Sequence, residues 1–217
     1  MPIVPDEWSV VILGAWNRAI LTPSGISKRL FDLPEGTPLE VMVPLDVIAP
    51  FRVKHGDIGV TAGTESLIIN PERNTYKNMA KAMSMAKVAL ISLPETPVSA
   101  AGFNFKFKSA TPVPALAKVV DHPLLDQYFS DRHDAVLTRM IGRSVKWRQG
   151  EIRISVSQES DLSYAILLNF HAGSNSTGTL NEWLSVSMAD IREEIQAILY
   201  DCLGVAEGDI SYDEEAG

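Results

Sequence analysis

The sequence predicts an α+β fold. It has two layers, with antiparallel sheet or sheets carrying long amphipathic helices on one face, and it reads as an internal duplication of a β-α-β-β-β-α unit. Three observations predict this. First, Thr96 to Lys108 (TPVSAAGFNFKFK) at the chain's midpoint alternates cleanly, with Ala101, Phe103, Phe105 and Phe107 on one side and Asn104, Lys106 and Lys108 on the other. Side chains of a strand alternate between faces, so three rings share a core face and two lysines face away. Second, the segments near 71–92 and 179–202 carry apolar residues at helical spacing. Third, each half reads strand, short helix, three strands, long helix, with strands at 37–44 and 65–70 recurring about 97 positions later at 134–141 and 162–167.

The elements follow in order. Trp8, Val10, Val11, Ile12 and Leu13 mark a buried first strand over 7–14. Thr22-Pro23 starts a short helix, because Thr accepts from a free N–H and Pro is tolerated at the first helical position. Strands are expected at 38–44, 50–61 and 65–70, with His55-Gly56-Asp57 punctuating the second. Pro71 is read as opening a helix to Ser92 with a Tyr76, Met79, Met83, Ala86, Leu90 stripe, and Pro94 closes the unit.

In the second half, Ser109–Asp121 contains Pro112 and Pro114 and is read as irregular. A short helix over Pro123–Phe129 comes next. Strands follow at 134–148, 151–157 and 162–171, with Gln149-Gly150 turning the first hairpin. The loop GSNSTG over 173–178 leads to Thr179-x-x-Glu182, read as a capping box for one final helix that Gly204 stops. The expected organisation is residues 1–95 and 96–204 as two fused halves, with 205–217 a disordered acidic tail. The paired arrangement is similar in outline to folds of the TATA-binding-protein type, a likeness of pattern that implies the fold alone.

Composition bounds the function. At 46% apolar and 21% charged residues, the chain can bury an ordinary core without metal or disulfide. A lone Cys202 excludes an internal disulfide framework. The acidic, proline-containing start MPIVPDEW is unlike a signal peptide, and no apolar run approaches membrane-spanning length. A cytoplasmic protein without membrane contact is therefore expected. The net charge of −8 is concentrated beyond residue 179, where ten acids face the single base Arg192.

No nucleophile elbow, phosphate loop, dinucleotide fingerprint or zinc spacing is present, so no catalytic residue, metal site or cofactor is expected. Gly102-Phe103-Asn104-Phe105 loosely resembles the RNP1 motif of RNA-recognition modules, but Ala101, Lys106 and Lys108 occupy the wrong positions and favour core packing. The binding candidates are the hairpin residues Arg139, Arg143, Lys146, Trp147, Arg148 and Arg153, together with His133 and His171. The basic hairpin suits either a polyanion or the acidic last helix of this chain or another copy. His133 lies in the Asp131-Arg132-His133-Asp134 cluster, and His171 at a strand end near the Gly/Ser loop. These features lead to a non-enzymatic interaction or assembly protein that self-associates or takes a protein partner. Nucleic-acid binding through a saddle-like sheet or the hairpin, and a small-molecule or enzyme pocket near His133 or His171, are the alternatives.

Overall fold

The structure, a computed structural model, describes residues 3–45, 49–159 and 163–212. Nine strands form one antiparallel sheet: β1 (Val4–Gly14), β2 (Glu40–Met42), β3 (Arg52–His55), β4 (Ile58–Ala62), β5 (Ser66–Pro71), β6 (Val98–Ser109), β7 (Arg139–Trp147), β8 (Gly150–Gln158) and β9 (Tyr164–Gly173). Their order across the sheet is β2-β3-β4-β5-β1-β6-β9-β8-β7. The joint between the halves is the β1–β6 pair, in register Val10 to Phe103 and Ile12 to Ala101. Outward from that joint the order is β1, β5, β4, β3 on one side and β6, β9, β8, β7 on the other; the first side adds the three-residue β2.

Helices α1 (Pro23–Arg29), α2 (Tyr76–Ser92), α3 (Pro114–Val120), α4 (Pro123–Ser130), α5 (Thr177–Trp183) and α6 (Met188–Gln196) complete the two-layer α+β fold. α2 packs on β5 and β1, α5 on β6 and β9, and α3 on β8 and β7. The core lies between. Trp8, Val10 and Ile12 of β1, Phe103, Phe105 and Phe107 of β6, and Ile166, Leu168 and Phe170 of β9 are fully or almost fully buried beneath the helices. Phe105 meets Trp8 edge-on at 4.8 Å between ring centroids, and Phe103 stacks on Trp183 at 5.5 Å. Such aromatic geometry adds to simple area burial. The phenylalanines of the RNP1-like stretch are therefore core residues.

Several expectations are corrected. The irregular stretch before residue 121 contains α3, because Pro114 occupies its first position, where a missing N–H costs nothing. Pro71 ends β5, and α2 starts later, capped by Thr75, whose hydroxyl accepts from the Asn78 N–H. The strand expected over 50–61 is two strands, β3 and β4, turned at Gly56 with φ +56°.

The single final helix is three pieces: α5, α6 and a π-helical turn over Ala197–Cys202. Ser176 caps α5 by accepting from the Thr179 N–H, and Ser187 caps α6 the same way from Asp190, so Thr179 is inside a helix rather than at its cap. The hairpin turn places Arg148 at φ +53°. Gly150 belongs to β8, where a Cβ would lie 2.3 Å from the His171 carbonyl oxygen.

Residues 205–212, expected as part of a disordered tail, pack on the fold. Val205 and Ile210 are buried, the Ile3 N–H donates to the Asp209 carbonyl (2.7 Å), and Tyr212 packs on Tyr76. Residues 213–217 lie outside the described residues.

Phe105→Ala should destabilise the chain by about 3–5 kcal/mol, the usual cost of emptying a closed aromatic site. Lys108→Ala, exposed on the same strand, should stay within about 0.5 kcal/mol of the parent. Urea unfolding followed by tryptophan fluorescence measures both.

Candidate interaction surfaces

Among the described residues, one face of the sheet carries no helix. Cross-strand partners share a face, so the register defines what it presents. One row runs Arg52, Thr61, Ile68, Val11, Gly102, His171, Glu151, Lys146. The next runs Lys54, Gly59, Asn70, then Ser9, Asn104, Asn169, Arg153, Ser144. The one aromatic ring in these rows is the His171 imidazole.

The middle of this face is an amide ladder. Asn169 Nδ2 donates to Asn104 Oδ1 (2.6 Å), and Asn104 Nδ2 donates to Ser9 Oγ (3.1 Å). Beside it, β1 bulges between Asp6 and Ser9, with Glu7 at φ +47°. The bulge is held by two side chains: the Trp8 N–H donates to Asn74 Oδ1 (3.0 Å), and Asn70 Nδ2 donates to the Trp8 carbonyl (3.2 Å). A hollow of about 700 Å³ opens there, lined in part by Asp6, Glu7, Arg52, Asn70, Glu72 and Lys106. A smaller one of about 190 Å³ lies against Gly102, Asn104, Arg153, Asn169 and His171.

Four cations of this face, Arg52, Lys54, Lys106 and Arg153, are paired. Arg52 Nη2 donates to Glu72 Oε1 (2.6 Å), and Lys54 lies 3.2 Å from the same carboxylate. Lys106 meets Glu7 and, at 3.3 Å, Asp6. Glu7 is held below the ordinary carboxylate range by its bond to Lys106. Arg153 Nε donates to Glu151 Oε1 (2.8 Å).

The hairpin candidates do not converge on one site. Lys146 and Arg153 lie on the open face. Trp147 points to the helix side, packing edge-on against Phe170 and Trp183 while its Nε1 donates to Glu194 Oε2 of α6 (3.0 Å). Arg148 stacks over Trp147 and pairs with Asp190 of α6 at 2.7 Å. The acidic last helix thus meets the basic hairpin within one chain. Arg139 is tied to Asp126 of α4 (3.0 Å) and to Gln158 (3.1 Å), and Arg143 donates to the Gly142 carbonyl (2.8 Å). His133 sits in the turn after α4 at φ +62°, where its N–H donates to the Ser130 carbonyl (3.0 Å). It is remote in the fold from His171, which lies on β9.

His171 Nε2 lies 3.0 Å from Glu151 Oε1, and its Nδ1 is buried without a hydrogen-bond partner among the described residues. Burial lowers its pKa, Arg153 lowers it further, and Glu151 opposes both. Among the described residues no group of three or more His, Cys, Asp or Glu could hold a metal ion.

The other exposed feature is the end of the sheet. β7 is the outer strand, nine residues long and without a buried residue. Next to it, α4 buries none of its residues: Leu124 is 78% exposed and Tyr128 56%, with Leu125 and Phe129 exposed beside them. Met140 of β7 is 73% exposed. Sequence reasoning missed this patch, although the PLLDQYF pattern was its signal. It missed the amide ladder because Ser9, Asn104 and Asn169 are far apart in the chain.

No protein-family model matches the chain, and comparison with curated proteins finds no match. No helix among the described residues is long and apolar enough to cross a membrane.

The pH dependence of stability follows from His171. Its folded pKa lies below its unfolded value of about 6.5, so the unfolded chain binds the proton more readily. Stability contributed by neutral His171 is complete above pH ~6.5 and is lost as pH falls through the folded pKa. Urea midpoints measured across this range should decline on acidification, and His171→Asn should flatten that part of the profile.

Proposed function

We propose that the chain is a non-enzymatic interaction protein that assembles with itself. The observation that carries this reading is the coincidence at one corner of a nine-residue edge strand, β7, whose outer side pairs with no strand among the described residues, with the uncovered apolar side chains of α4. A strand edge offers a row of free N–H and C=O groups, and long exposed edges pair with other chains unless blunted. Contiguous apolar exposure marks the same kind of surface. The opposite edge is blunted: β2 has three residues.

The nucleic-acid reading draws less support. Arg52, Lys54, Lys106, Arg139, Arg148 and Arg153 each meet a carboxylate of the same chain. Binding phosphates through them would require breaking those pairs, and the open-face rows offer a single ring on which a base could stack, His171, held against Glu151. The expected outcome of filter binding at low salt is no retention of duplex DNA or single-stranded RNA. A small-ligand reading rests on one observation, the hollow beside His171.

Light scattering coupled to size exclusion tests the assembly reading. Over a micromolar concentration series the expected mass is twice the 23.7 kDa of the chain. A mass of one chain at every concentration would overturn it.

A further inference from the structure

We propose that two copies join edge to edge through β7, antiparallel, about a two-fold axis normal to the sheet at Ser144. This rests on the self-association reading above and specifies its joint. The occupant of the free edge is then a second β7, and the product is one continuous sheet of eighteen strands, nine from each copy. The copies meet as the halves of each chain do, by antiparallel pairing of edge strands with the helices kept on one side.

The geometry restricts the register. A two-fold normal to the sheet preserves its faces, and side chains paired across an antiparallel ladder share a face. A residue of β7 can therefore pair only with one an even number of positions away. Centring on Arg143 sets two guanidinium groups against each other, and centring on Ile141 sets Arg139 against Arg143. Directly opposed like charges are destabilising.

Centring on Ser144 avoids every like-charge pair. Arg143 falls opposite Val145, Lys146 opposite Gly142, and Ile141 opposite Trp147. The last is an aromatic–β-branched pair, made twice by symmetry, on the side where Trp147 already packs against Phe170 and Trp183. The symmetric Ser144 pair adds hydroxyls that can bond across the axis. Centring on Gly142 or on Val145 is also free of like charges, but the first draws Arg139 into the joint opposite Val145, and both give up the Ile141–Trp147 pair. Centring on Ser144 leaves Arg139 with Asp126 and Gln158. Charged side chains on an edge normally keep copies apart; here each cation of the paired stretch has an uncharged residue across from it.

Disulfide trapping reads the register. Residues facing themselves across the axis have Cα atoms about 4.5–5.5 Å apart, within the roughly 4.4–6.8 Å that a disulfide spans. Lys146 and its copy are offset by four residues, or about 13 Å. With the exposed Cys202 replaced by Ser, Ser144→Cys should give a covalent dimer under mild oxidation, and Lys146→Cys and Gly142→Cys should not. A covalent dimer from Lys146→Cys or Gly142→Cys, with none from Ser144→Cys, would overturn the register. If light scattering finds a dimer and none of the three is trapped, the Ser144-centred joint is wrong and self-association stands. If light scattering finds one chain at every concentration, both fail.

Discussion

The structure depends on the antiparallel pairing of β1 with β6. This pair joins two half-sheets that would otherwise each expose an inner edge, and it aligns Trp8, Val10 and Ile12 with Phe103, Phe105 and Phe107 under the helices. Each buried phenylalanine contributes about 1.5–3 kcal/mol. A slip of one residue would turn those rings toward solvent and bring Lys106 and Lys108 inward. The constraint acts on both faces at once. The same register brings Asn104 to Ser9 and, through β9, to Asn169, so the amide ladder on the open face is the reverse side of the aromatic core.

Joining the halves by their first strands leaves the ends of the sheet as its only edges. One end closes with the three-residue β2, and the other stops at β7, nine residues long. The helix layer does not extend far enough to cover this corner: α3 reaches β8 and β7, while α4 is held through its Asp126–Arg139 ion pair and buries nothing. A helix with Leu124, Leu125, Tyr128 and Phe129 gains little from folding alone if those groups stay in water. The fold therefore concentrates unused backbone bonding capacity and unused apolar surface in one place.

What could be read from sequence was local and periodic. The alternation of β6 and β8, the stripe of α2 and the Thr22-Pro23 start were legible because the signal and its cause lie within a few residues. Pro114 was misread because proline breaks a helix interior but suits its first turn. The last helix was read as continuous because its apolar stripe runs on past Ser187, where a serine cap restarts the chain as α6. Residues 205–212 read as a tail because their anchors are non-local: Ile210 bridges Ile3, and Tyr212 reaches Tyr76 and Phe107. The corner patch was half legible, as apolar residues in α4, but whether anything covers a helix is a tertiary fact.

Charge placement bears on the kind of partner the molecule suits. Two of the acids beyond residue 179 are built into the fold: Glu194 accepts from Trp147, and Asp190 pairs with Arg148, so part of that charge holds the hairpin to the helix layer. The Arg148–Asp190 pair is half exposed, so it is worth only about a few tenths of a kcal/mol and orients more than it stabilises. The structural effect of both contacts is to fix the Trp147 end of β7 while Arg139, through Asp126, fixes the other. A strand held at both ends, with its middle residues Gly142, Arg143, Ser144 and Val145 exposed, has already lost the conformational freedom that pairing would otherwise cost. That preorganisation favours a strand partner over a diffuse electrostatic one, because the benefit falls on directional backbone bonds rather than on screened charge.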